Sequence, residues 1–158
     1  LFGHQIIDNH DGSVNIKHTV KGEIFIKLLY KKYFSLIILI LVCLVIFLFS
    51  SQPGEESSKI SNDLIIRKLG HFSEYMTLGF FSFCYLSNFF IGNNKKKDLK
   101  KTVILSFLFS VIYASTDEFH QTFVVGRDGN IVDVLIDSSG SLVGILLSSI
   151  LYFLVMKK

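Results

Sequence analysis

Eighteen consecutive residues without a charge, Tyr33–Ser50 (YFSLIILILVCLVIFLFS), constrain this chain more than any other feature. A helix needs about 20 apolar residues to cross the hydrocarbon core of a bilayer. Lipid offers the backbone no hydrogen-bond partners, so a lone run that crosses it is helical. A cleaved signal sequence is the competing reading. It is weaker, because the run starts more than thirty residues in and no small-residue cleavage site comes after it. Three more apolar stretches lie further along, His71–Ile91, Thr102–Thr116 and Ser138–Met156. The middle one is short, so either Lys101 snorkels or the helix extends through Asp117 to His120. The expectation is an all-α integral membrane four-helix bundle over residues 33–156, with helices near 33–50, 71–91, 102–120 and 134–156.

Composition agrees. Of 158 residues, 50% are hydrophobic and 18% charged, against roughly 25% charged in a soluble domain. The net charge of +3 does not point to nucleic acid, because the lysines flank apolar runs and no aromatic-basic RNA motif is present. Cys43 and Cys84 each fall inside an apolar run and read as small buried hydrophobes. Residues 1–30 read as a polar extension on the cytoplasmic side, with a turn at Asp11-Gly12.

Basic residues near helix ends set the orientation. Lys27, Lys31 and Lys32 precede the first run, and Lys95, Lys96, Lys97, Lys100 and Lys101 separate the second from the third. With Lys157 and Lys158 they make ten on one side, against Lys59, Arg67, Lys68 and Arg127 on the other. Four crossings then put both termini in the cytoplasm.

That threading gathers the unusual polar residues on the outer side. His71, Glu74 and Tyr75 are spaced i, i+3, i+4, and Asp117, His120 and Gln121 repeat the spacing, so each trio shares a helical face. Asp133, Asp137, Gly140 and Gly144 form one stripe. Its glycines admit a close helix neighbour, and its carboxylates then face the bundle. Ionisable groups at a membrane edge need partners or a watered cavity. Glu74, Asp117, Glu118, Asp133 and Asp137 face only Lys68, Arg127 and two histidines. Such a cluster suits acid-base chemistry or capture of a polar headgroup. Asp133 alone also reads as a helix N-cap. His71 with Glu74 and Asp117 with His120 do not form a His-Glu-x-x-His zinc motif, and no metal or other cofactor is expected.

Three segments carry a resemblance: FSSQPGEESSKIS at 49–61, KLGHFSEYMTLG at 68–79 and DEFHQTFVVGRDGNIVDVLIDSSGSLVG at 117–144. On these residues the chain resembles the VanZ-like family, named for a protein associated with resistance to the glycopeptide teicoplanin. The resemblance implies marked positions at Lys68, His71, Tyr75, Asp117, Glu118, Gln121, Arg127 and Asp133. The chain departs from the pattern with Val125 in place of a proline and Asp137 in place of an asparagine.

The functional expectation is a bacterial, multi-pass membrane protein at the cell envelope, with three readings open. It lowers susceptibility to lipophilic glycopeptides by engaging an envelope component. It is an enzyme acting on a lipid or glycolipid headgroup, with Asp117, Glu118 and His120 as catalytic candidates and Lys68, His71, Glu74, Tyr75, Gln121, Arg127, Asp133 and Asp137 binding substrate. Or it is a scaffold whose polar network locks the helices. The expected partners are membrane lipids and an envelope lipid or glycopeptide ligand.

Overall fold

A computed structural model describes residues 24–54, 64–91 and 95–156. Among them are four long helices and no strand: α1 (Lys32–Ser50), α2 (Leu64–Phe90), α3 (Lys95–Gln121) and α4 (Ile131–Met156). A short helical stretch at 24–29 precedes α1. The turn expected at Asp11-Gly12 lies outside the described residues.

Among the described residues three helices are long and apolar enough to cross a membrane: Lys32–Ser50, Asp98–Gln121 and Ile131–Val155. At 19 residues, α1 spans roughly 28 Å, close to the thickness of the hydrocarbon core. The 27-residue α2 is longer but less apolar, because Glu74, Asn88 and its serines dilute its phenylalanines. It is also the most enclosed in packing terms, touching α1, α3 and α4. The helices expected near 71–91 and 102–120 sit inside longer ones. Each helix starts seven residues earlier, at LIIRKLG in α2 and at the lysine-rich KKKDLKK in α3.

The polarity is inverted relative to a soluble protein. On α1 the buried positions are Ser35, Leu39, Ile46 and Ser50, while Ile37, Leu41, Leu44 and Leu48 are exposed. On α3 Thr102, Ser106 and Ser110 face inward, and Ile104, Leu108 and Ile112 face outward. Among the described residues buried polar ones outnumber buried hydrophobic ones, 15 to 9. Such a surface suits lipid, and small inward residues let helices approach closely where apolar burial gives no driving force. Several buried hydroxyls close back on their own helix, as Ser82 does on Gly79 O at 2.9 Å and Ser110 on Ser106 O at 3.1 Å.

The tightest seam joins α2 to α4. A Cβ on Gly79 would meet the Ser141 backbone, one on Gly140 the Phe72 carbonyl, and one on Gly144 the Met76 carbonyl. Ser141 Oγ donates to Tyr75 O across the seam at 3.1 Å. At the far end of α4, Tyr30 donates its hydroxyl to Ser148 O at 2.6 Å, which docks the stretch before α1. The glycine stripe read from the sequence therefore does bring two helices together, and it aims Asp133 and Asp137 at α2.

Candidate functional site

The ends of α1 and α3 meet the beginnings of α2 and α4, and a cavity of about 280 Å³ opens between them. Two consecutive rungs cross from α2 to α4. In the outer rung Lys68 Nζ lies 3.1 Å from Asp133 Oδ1, an ion pair without hydrogen-bond alignment. In the inner rung His71 Nδ1 is 4.0 Å from Asp137 Oδ1. Lys68 to His71 and Asp133 to Asp137 are each about one helical turn, so the inner rung sits roughly 5 Å deeper.

The inner rung is unsatisfied. Asp137 is fully buried, and neither of its carboxylate oxygens has a hydrogen-bond partner; His71 Nδ1 has none either. A buried carboxyl with neither oxygen hydrogen-bonded is costly to hold.

The third wall comes from α3 and the turn after it, and here the polar groups are satisfied. Gln121 donates through Nε2 to Glu118 Oε1 at 3.2 Å and to Asp117 Oδ2 at 3.4 Å. Glu118 Oε2 accepts from Asn130 N at 2.9 Å. Asn130 also caps α4, its Oδ1 accepting from Val132 N at 2.9 Å. The cap expected of Asp133 therefore belongs to Asn130, which leaves Asp133 for Lys68.

Arg127 ties this turn to the end of α1. Its Nη2 donates to Phe49 O at 3.0 Å, its Nε to Gln52 O at 3.2 Å and its Nη1 to Gln121 Oε1 at 3.3 Å. Gly54 N donates to Val125 O at 3.0 Å beside it. A Cβ on Gly54 would meet the Gly126 carbonyl, and Gly126 has φ +74°, the left-handed region that favours glycine. Burial, and then the nearby Arg67, lower the Arg127 pKa below its ordinary value. Arg67 and Arg127 both line the cavity.

Of the residues expected at the site, Lys68, His71, Glu118 and Gln121 line the cavity, as do Arg127, Asp133 and Asp137. Tyr75 and Asp117 are buried and do not line it. The Ser50 and Tyr75 hydroxyls approach the Asp117 carboxyl without reaching hydrogen-bond geometry. Glu74 is likewise outside the lining, with Asp117 and Arg127 as its charged neighbours. His120 faces away from the cavity: its Nε2 is 3.1 Å from Ser51 Oγ, and its ring lies 4.9 Å from that of Phe47. Two charged residues not expected at the site from sequence, Arg67 and Asp128, also line it, with Gly126 and Ile136. Arg67 precedes His71 by four, a spacing that puts the two on one face. Among the described residues no group of three or more histidine, cysteine or carboxylate side chains is arranged to hold a metal ion.

No curated protein and no solved structure matched the chain. The family model described as VanZ/LLP1 matches residues 34–152, from the start of α1 to near the end of α4. That match takes in every helix and every wall of the cavity, and the chain belongs to the VanZ/LLP1 family.

Proposed function

We propose that this protein crosses the cell membrane four times with both termini in the cytoplasm. In that orientation the Lys68–Asp137 cavity faces outward and binds the polar headgroup of an envelope amphiphile. The observation that carries the reading is the buried carboxyl of Asp137, without a hydrogen-bond partner, in a cavity that Arg67, Lys68 and Arg127 also line. The lysine distribution supports the orientation. Size argues for a headgroup over a whole drug: drug-sized ligands occupy roughly 300–1,000 Å³, and a glycopeptide is far larger than this cavity. Lowered susceptibility to lipophilic glycopeptides such as teicoplanin is then an indirect consequence, arising from occupation of an envelope lipid at the surface where an acylated drug inserts.

The test is susceptibility with and without the gene, comparing acylated with non-acylated glycopeptides. The reading expects a raised inhibitory concentration confined to the acylated compounds, and its loss in Asp137→Asn protein that still inserts. Unchanged susceptibility to every envelope-active compound refutes it.

One observation favours headgroup chemistry over binding alone, the unpartnered imidazole of His71 facing Asp137. An enzyme would use this pair, with Glu118, in place of His120. Chromatography of envelope lipids from cells carrying His71→Gln would show an accumulated substrate in that case and an unchanged lipid profile otherwise.

A further inference from the structure

Subtracting the satisfied groups leaves a specific pattern. Asp133 answers Lys68, Glu118 is bonded by Gln121 and Asn130, and three of the five guanidinium N–H groups of Arg127 are spent on α1 and Gln121. What remains charged on the lining is Arg67, the exposed Asp128 and the spare N–H groups of Arg127 on its outer part, two cations against one acid, and the fully buried Asp137 with His71 inside. The mouth offers positive charge to an anion. The base offers two carboxylate oxygens to a hydrogen-bond donor, best of all a cationic one. Around the opening Ile66, Leu69 and Leu135 are exposed, which gives acyl chains a surface to lie on.

Resting on the headgroup reading above, we infer that the ligand is a zwitterionic phospholipid bearing a primary ammonium, as in phosphatidylethanolamine. Its phosphate sits at the Arg67–Arg127 mouth and its ammonium donates to Asp137. Along α2, Arg67 precedes His71 by four residues, about 6 Å of backbone rise, the scale of a two-carbon spacer between phosphate and ammonium. A choline headgroup carries the same charges but has no N–H to donate, so it leaves both Asp137 oxygens without a bond.

The experiment is native mass spectrometry of the purified full chain in detergent. Phosphatidylethanolamine, phosphatidylcholine and phosphatidylglycerol with identical acyl chains are added in equal amounts. Retention of phosphatidylethanolamine about tenfold above phosphatidylcholine is expected, the scale of one lost charge-assisted hydrogen bond. Asp137→Asn should remove that preference while the variant elutes and melts as a folded protein. If the variant does not fold, the wild-type comparison between the ethanolamine and choline lipids decides alone. Equal retention of those two, or preference for phosphatidylglycerol, overturns the ammonium subsite and leaves a headgroup site standing. Retention of none of the three removes the headgroup reading itself. Displacement by soluble glycerophosphoethanolamine at the same concentration as the lipid would assign the site to a free phosphoester and overturn the lipid.

Discussion

Arg127→Lys separates two roles that charge alone cannot. If Arg127 serves chiefly as a positive charge, lysine replaces it. If it serves as a clamp, lysine fails, because one ammonium cannot reach Phe49 O, Gln52 O and Gln121 Oε1 together. Two of three bonds are then lost. Hydrogen bonds to charged groups contribute about 1.5–3 kcal/mol each when buried. Arg127 is only partly buried, so about 1 kcal/mol each is the better figure, and the sum is about 2 kcal/mol, or roughly thirtyfold in the folded-to-unfolded ratio. The loss should be local, loosening the end of α1 and the turn at Gly54 and Gly126. Thermal unfolding in detergent, with hydrogen exchange read at residues 47–54, measures both parts. Lysine variant and wild type melting together, with equal protection at 47–54, would refute the clamp and return Arg127 to ligand binding.

Gly144→Ala puts a methyl group against the Met76 carbonyl and should destabilise by about 1–3 kcal/mol, the usual range for overpacking. Gly70→Ala, with nothing within 4 Å, is the control that should melt as wild type or higher. His120→Ala removes a contact with Ser51 and the Phe47 ring. It should lower stability by no more than about 1 kcal/mol, with headgroup retention unchanged; loss of retention in a folded variant would put His120 back in the site. A cysteine at the exposed position of Lys100, with Cys43 and Cys84 replaced, should react with an impermeant thiol reagent only after the cells are opened. Labelling of intact cells would invert the proposed orientation.

How legible this protein is in its sequence differs by element. The run at 33–50 can be read directly, because a bilayer admits few alternatives for eighteen uncharged residues. The starts of α2 and α3 cannot, since hydropathy marks where lipid begins and a helix ends where its caps are. The α2–α4 seam is legible from Gly140 and Gly144, because missing side chains have a direct packing consequence. The face of His120 is not. Spacings of three and four share a face only loosely, and on a helical wheel His120 and Gln121 fall about 60° and 40° to opposite sides of Asp117. Gln121 therefore turns toward Glu118, and His120 turns toward α1. The role of Arg127 is hidden for another reason: its partners at Phe49 and Gln52 are backbone carbonyls of a remote helix end, which no side-chain pattern records.

Among the described residues buried polar side chains outnumber apolar ones, so polarity does not by itself distinguish function from architecture. Satisfaction does. Ser50, Ser106 and Tyr75 also lack partners, but each leaves one hydroxyl unbonded, at about 1–3 kcal/mol, whereas Asp137 leaves both carboxyl oxygens unbonded. Asp137, with no exposure and two empty oxygens, is the group whose present environment is hardest to account for by packing. If it is kept for a ligand, it should be a liability when that ligand is absent. Asp137→Asn, similar in shape and uncharged, should then raise the unfolding temperature of delipidated protein, by the equivalent of about 1–3 kcal/mol, while abolishing headgroup retention. A structural ion pair with His71 predicts the reverse sign: the same substitution would strip His71 of its partner and lower the unfolding temperature. The sign of one melting shift thus decides whether Asp137 holds the helices together or is tolerated by them.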